Sequence, residues 1–126
     1  SLNAPVVKEG TLTLTFTGED PFLSRTYLRI PGDTYQKIKV RMKLPPCEPT
    51  GQLFWTTSEE PQFRDDKYLN FPVIPDGQWH EYEVRFSTPD ILRQLRIDGS
   101  LAPTTVEYQW VRLCREDGSL LKTWEF

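Results

Sequence analysis

The sequence is poor in the residues from which catalytic and metal centres are most often built. Its 126 residues include one histidine, His80, and two cysteines, Cys47 and Cys114. His80 has no second histidine with which to share a metal ion, and the cysteines lack the CxxC spacing of zinc and thioredoxin-like sites. One disulfide or two free thiols are both compatible with this spacing, and free, partly buried thiols are the expected state. No metal site is therefore expected.

An excess of positive charge is also missing. The chain has 15 basic and 18 acidic residues, which interleave and give a net charge of −3. Because phosphate backbones attract proteins with a basic field, nucleic-acid binding is not expected. No apolar run approaches the roughly 20 residues needed to cross a bilayer, so no membrane span is expected. The N-terminus has no signal-peptide pattern, and a signal for export would lie outside this sequence.

Period-two alternation is the main positive signal. Residues 11–17 alternate leucine or phenylalanine with threonine, and residues 37–44 alternate apolar with basic side chains. Aromatic residues make up 13% of the chain, and 11 prolines accompany them. This composition is typical of short strands joined by stiff loops. Helical periodicity is weak throughout, and residues 89–94 predict at most one helical turn.

Further strands are predicted at residues 22–30, 51–57, 68–73, 79–86, 92–98, 105–115 and 120–126, with turn residues between nearly all of them. The pattern predicts an all-β fold: an antiparallel two-sheet β-sandwich with jelly-roll topology. One domain is expected over residues 1–126, with its core at about residues 11–115. The inward positions of residues 106–113 change parity, which predicts a bulge near Trp110 and Val111.

One sheet face should be wet, because alternation sends four basic side chains outward from a single strand. These side chains are Lys37, Lys39, Arg41 and Lys43. We expect glutamates of another strand, Glu81 and Glu83, to neutralise them across the sheet.

A candidate binding site lies around the loop at residues 58–67, which is long, polar and joined to strands at both ends. A sugar is one ligand that such a site could bind. A pyranose packs its C–H face on an aromatic ring, while its hydroxyls need directional polar partners. The candidate ligand-binding residues combine both kinds: Phe54, Trp55, Arg64, Asp65, Asp66, Tyr68, Asn70 and Arg96. Since Phe54 and Trp55 are adjacent in a strand, only one of their rings should be buried. Two alternatives stay open: Trp55 in the core with Phe54 covered by the loop, or a ring exposed in a ligand site.

Catalysis has weak support. The acids of the same loop, Glu59, Glu60, Asp65 and Asp66, would suit glycoside hydrolysis only if two were held about 5–9 Å apart. Adjacent acids in a solvated loop are commonplace, and the sequence contains no nucleophile elbow and no phosphate-binding glycine loop. We expect no catalytic residues and no enzyme activity.

Six segments together resemble jelly-roll carbohydrate-binding modules of the galactose-binding-like fold: residues 18–22, 35–43, 53–57, 76–82, 95–98 and 108–113. The resemblance implies a non-catalytic module that concentrates a bacterial carbohydrate-active or surface protein on glycan. The alternative is a structural or protein-interaction sandwich without a sugar site. Related sequences often have an acidic residue where this chain has Gln109, so the structural calcium ion common in such modules lacks support.

The resemblance also implies a fragment of a larger protein, with neighbouring domains as partners besides a glycan or polysaccharide. It implies an extracellular or cell-surface location. Because such domains are also attached to glycosyltransferases, a cytoplasmic parent protein stays open.

Overall fold

A computed structural model describes residues 5–15, 22–61 and 68–126. For Phe22 it describes the backbone alone. Within these ranges the regular structure consists of ten β-strands and no helix. The strands are β1 (Val6–Lys8), β2 (Thr11–Thr15), β3 (Phe22–Arg25), β4 (Asp33–Lys43), β5 (Thr50–Thr57), β6 (Tyr68–Pro72), β7 (Trp79–Thr88), β8 (Leu92–Asp98), β9 (Thr105–Arg115) and β10 (Leu120–Glu125).

The strands form two sheets in which every described pairing is antiparallel. The six-stranded sheet has the order β1-β2-β9-β4-β7, and β10 also pairs with β9. The four-stranded sheet has the order β3-β8-β5-β6. Most consecutive strands lie in opposite sheets, which is the jelly-roll arrangement. The predicted all-β, two-sheet sandwich is thereby confirmed.

The core lies between the sheets and follows the alternation of the sequence. In β4, Ile38, Val40 and Met42 are almost completely buried, whereas the basic residues between them reach solvent. Leu53 of β5 and Leu113 of β9 are equally buried in the opposite layers. Because alternate side chains of a strand point to opposite sides, each strand gives one set to the core and one to an outer face.

The outer face of the six-stranded sheet is a network of ion pairs. Lys39 Nζ lies 3.7 Å from Glu83 Oε1, and Arg41 Nη1 lies 3.1 Å from Glu81 Oε2. The predicted neutralisation by Glu81 and Glu83 is therefore confirmed for Lys39 and Arg41. Lys43 pairs instead with Glu107 of β9, at 3.3 Å. Such exposed pairs contribute little to stability individually, but they leave this face without a concentrated charge.

The expected bulge lies one residue before its predicted position. In the β4–β9 pairing Arg41 lies opposite Trp110 and Met42 opposite Tyr108, so Gln109 is the extra residue. Its Oε1 accepts a 2.6 Å hydrogen bond from Arg41 Nε. Both cysteines are free thiols, as expected. Within the described ranges, no helix has the length and apolar character needed to cross a membrane.

Candidate functional site

The outer face of the four-stranded sheet gathers most of the predicted ligand-binding side chains that the structure describes. One of its two central strands, β5, directs Gln52, Phe54 and Thr56 to this face, since the residues between them point to the core. The antiparallel register sets each of them opposite a polar residue of β8: Gln52 opposite Asp98, Phe54 opposite Arg96, and Thr56 opposite Gln94. On the other side, β6 sets Asn70 opposite Gln52 and Tyr68 opposite Phe54.

Two rings form the centre of this face. The centroids of Phe54 and Tyr68 are 5.4 Å apart, and their planes are tilted by 33°. Tyr68 is 38% exposed. A cross-strand aromatic pair of this kind stabilises the sheet, and its exposed part offers an apolar area on which the C–H face of a sugar ring can pack.

Arg96 borders the ring pair in a fixed position. Its Nε and Nη2 donate hydrogen bonds of 2.8 and 3.0 Å to the two carboxylate oxygens of Asp98. Asp98 is only 1% exposed, and the Arg96 guanidinium lies 5.1 Å from the centroid of Phe54. A two-point pairing of this type restricts the guanidinium to one orientation. Arg96 therefore presents a preorganised charged group beside an apolar surface.

Polar pairs lie on both sides of the rings along the strand direction. Gln52 Nε2 donates a 3.0 Å hydrogen bond to Asn70 Oδ1. At the other end, the Thr56 hydroxyl donates a 3.0 Å hydrogen bond to Gln94 Oε1. Amide groups have both donors and acceptors, which match the mixed donor and acceptor character of sugar hydroxyls. Beyond Thr56 and Gln94 a groove of about 210 Å³ continues toward Tyr27.

The structure brings together four of the eight predicted ligand-binding residues: Phe54, Tyr68, Asn70 and Arg96. Trp55 is different, because it is 7% exposed and packs in the core with its ring centroid 5.2 Å from that of Phe86. The structure therefore corrects the assignment of Trp55 to the site. Arg64, Asp65 and Asp66 lie outside the described residues, and their role stays a prediction.

The ligand-binding residues predicted from the sequence do not include three polar side chains of the same face: Gln52, Thr56 and Gln94. The signal for them was present, since Gln52 and Thr56 share the parity of Phe54, and Gln94 shares that of Arg96. The pairing of Arg96 with Asp98 also agrees with the alternation, which places both side chains on the outer face.

Among the described residues no three of His, Cys, Asp and Glu lie close enough to hold a metal ion. Glu59 and Glu60 are exposed after the end of β5. Asp65 and Asp66, the other acids considered for hydrolysis, lie outside the described residues.

No protein-family model matches the sequence, and no curated protein matches it. Solved structures do resemble the fold. A family 4 carbohydrate-binding module (CBM4) superposes with a TM-score of 0.60 and 12% identity, over 92% of this chain and 77% of the other. A module from Cellvibrio mixtus lichenase 5A, in complex with cellotriose, gives 0.54 and 13%, over 91% and 86%.

The third comparison is with a larger enzyme. Clostridium thermocellum xylanase 10B, as its CBM22-1 and GH10 modules with xylohexaose, gives a TM-score of 0.57 and 14% identity, over 89% of this chain and 23% of that one. Identities this low indicate the fold and leave the ligand open. This chain thus has the jelly-roll fold found in several carbohydrate-binding modules.

Proposed function

We propose that this domain is a non-catalytic carbohydrate-binding module that binds glycan on the outer face of the four-stranded sheet. The observation behind the proposal is the Phe54–Tyr68 ring pair, 5.4 Å between centroids, set between polar side chains on the outer face of the sheet. Similarity to carbohydrate-binding modules supports the same interpretation.

In this proposal each side chain has a distinct part in binding. Phe54 and Tyr68 pack against a sugar ring, Arg96 bonds to ring or hydroxyl oxygens, and the amides of Gln52, Asn70 and Gln94 select hydroxyl orientation. Small, well-hydrated ligands gain little free energy on an open face, so dissociation constants in the millimolar to micromolar range are expected. Stronger attachment would come from several modules acting together.

The parent protein is part of the proposal. We infer that the domain serves a longer, extracellular or cell-surface chain and has neighbouring domains as partners. Two of the similar structures support this, because the matching part is 18% of an Arthrobacter globiformis isomalto-dextranase and 23% of the xylanase chain. The module would hold the parent protein near its polysaccharide, and catalysis would take place elsewhere in the chain.

The test compares aromatic residues on the two outer faces. Phe54→Ala and Tyr68→Ala should each weaken glycan binding about five- to tenfold, since stacking on one ring is worth about 1–1.5 kcal/mol. Trp79→Ala removes a ring from the opposite face and should leave affinity unchanged. Isothermal titration against a panel of oligosaccharides, with NMR shifts in β5, β6 and β8, measures the effect.

The result also distinguishes the alternatives. Loss of binding in Trp79→Ala, with retention in Phe54→Ala, would move the site to the six-stranded sheet. Failure of every glycan to cause shifts would favour a structural or protein-interaction domain. Turnover of any glycoside by the isolated domain would contradict the non-catalytic assignment.

A further inference from the structure

Tyr27 occupies an unusual place in the fold. It follows β3, is 96% exposed, and has a backbone φ of +59°. A left-handed backbone is unfavourable for a bulky side chain, and a ring in solvent gains no burial to offset it. The next residue, Leu28, is buried, and its N–H donates a 2.9 Å hydrogen bond to the Arg93 carbonyl. The chain is thus anchored at Leu28 and projects the Tyr27 ring outward.

Tyr27 is the shared wall of two grooves. One groove, of about 210 Å³, continues from the outer face of the four-stranded sheet and is lined by Tyr27, Thr56, Ser58, Pro61, Arg93 and Gln94. The other, of about 420 Å³, is lined by Ser24, Arg25, Thr26, Tyr27, Leu28 and Lys122. These two grooves together are the Tyr27 grooves. They extend the proposed glycan face by a second aromatic surface.

The charges of the Tyr27 grooves have one sign. Arg25, Arg93 and Lys122 line them, all three are exposed, and none of the lining residues that the structure describes is acidic. Within the described part of the chain none of the three forms an ion pair with a carboxylate. By contrast, basic residues elsewhere are paired, as in Arg41 with Glu81 and Arg112 with Glu125. On a protein of net charge −3, this is a local concentration of uncompensated positive charge.

We propose that the Tyr27 grooves bind a sugar that bears an anionic group, a carboxylate or a sulfate, as part of a longer glycan. The proposal rests on the glycan-binding function proposed above and specifies its substrate class. Tyr27 packs against the sugar ring, while the guanidinium forks of Arg25 and Arg93 bind the anion through two-point hydrogen bonds. Lys122 adds a point charge, and the hydroxyls of Ser24 and Ser58 suit neighbouring sugar hydroxyls.

The experiment uses matched pairs of charged and neutral oligosaccharides. Oligogalacturonate and its methyl ester test the carboxylate, and a κ-carrageenan oligosaccharide and its desulfated form test the sulfate. At least one anionic member should bind about tenfold more tightly than its neutral partner, because a charge-assisted hydrogen bond is worth about that factor. The preference should shrink between about 0.1 M and about 1 M salt, as screening increases.

Variants locate the effect. Arg25→Gln and Arg93→Gln should each reduce affinity for the anionic ligand toward that of the neutral one. Lys37→Gln removes a positive charge from the opposite sheet face and should leave the affinity for the anionic ligand unchanged. Tyr27→Gly suits the positive φ, so its thermal midpoint should stay equal or rise while affinity falls about tenfold. This variant separates loss of binding from loss of folding.

Equal affinity for the charged and neutral members of both pairs would overturn the proposal, as would full anionic binding in Arg93→Gln. Neutral binding that still depended on Phe54 would then leave the glycan-binding function intact. If no oligosaccharide, charged or neutral, bound the domain, both proposals would fail. The pair that shows the preference identifies the anion.

Discussion

At the scale of single residues, Phe54 and Trp55 show how adjacent positions of one strand acquire opposite roles. The Trp55 ring packs on Phe86 inside the sandwich, while Phe54 faces outward toward Tyr68. Alternation predicts that the two rings point to opposite sides, but it does not say which side is the core. That choice depends on Leu53 and the buried side of β8, whose Leu95 lies opposite Trp55. Local sequence therefore predicts the pair of alternatives and leaves the choice between them to tertiary packing.

These roles predict a contrast in stability. Trp55→Ala should lower the free energy of unfolding by about 3–5 kcal/mol, because it removes a buried ring and leaves a cavity. Phe54→Ala should cost no more than about 1 kcal/mol, the loss of a partly exposed ring pair. Urea denaturation followed by circular dichroism measures both. Equal losses, or a larger loss in Phe54→Ala, would contradict the burial assigned to Trp55.

At the scale of elements, the positions of most strands are predictable from alternation and turn residues, and strands β8 and β9 match their predicted ranges. Strand β1 was missed because its three residues, Val6–Lys8, are all exposed and give no periodic signal. It exists because Glu9 and Gly10, with φ of +53° and +78°, form a two-residue turn that folds it onto β2.

The site depends on strand register, which the sequence does not provide. Phe54 meets Tyr68 because β5 and β6 pair from Thr50 opposite Pro72 to Phe54 opposite Tyr68. A shift by one residue would move Tyr68 to the other face. Short-range pattern alone could therefore list the ring-bearing residues but not select those that meet across the sheet.

The β5–β6 register relies on a close approach at Gly51. A Cβ added there would lie 2.6 Å from Phe71 Cζ, so the buried Phe71 ring needs the space that glycine leaves. Gly51→Ala should therefore destabilise the fold by about 1–3 kcal/mol through overpacking. The displacement of β6 should also weaken glycan binding, since Tyr68 belongs to the same strand.

A double-mutant cycle identifies the cause. Phe71→Leu gives the alanine methyl more room, so Gly51→Ala should cost at least about 1 kcal/mol less in that background than in the wild type. Urea denaturation of the four proteins measures the coupling. Strict additivity would show that Gly51 matters for a reason other than its contact with Phe71.

At the scale of the whole molecule, opposite charges are distributed so that one sheet face is neutralised and the Tyr27 grooves are not. The expected single domain, with its core at about residues 11–115, stays a prediction. The sandwich itself was predictable because its longer strands, such as β4 and β9, repeat one simple alternation. The grooves were not, because Tyr27, Arg93 and Lys122 come from distant parts of the chain and are joined only by sheet topology.

Three exposed carboxylates predict how the whole fold responds to acid. Hydrogen bonds from His80 and from the Gln78 N–H hold the pKa of Asp76 below its ordinary value of 3.8. The Ser119 hydroxyl and N–H lower the pKa of Asp117 from 3.8, and Thr123 with Arg112 lowers that of Glu125 from 4.5. Because each pKa is lower in the folded state, these groups stabilise the fold above the unfolded values. Their contribution is lost as pH falls through the folded values.

The urea midpoint should therefore fall when the pH is lowered from about 6 to about 3, beginning near pH 4–5, where the unfolded carboxylates start to bind protons.

The effect of Asp76 can be isolated. Asp76→Asn should be less stable than the wild type at about pH 6 and should lose less stability on acidification, since it has one fewer proton to bind. The carboxyl carbon of Asp76, followed by NMR, should titrate below 3.8 in the wild type and closer to that value in His80→Ala, which removes the largest cause of the shift. An unchanged Asp76 titration in His80→Ala would show that the Gln78 N–H alone holds the carboxylate. An acid transition that is the same in Asp76→Asn as in the wild type would place the sensitivity at Asp117 and Glu125 instead.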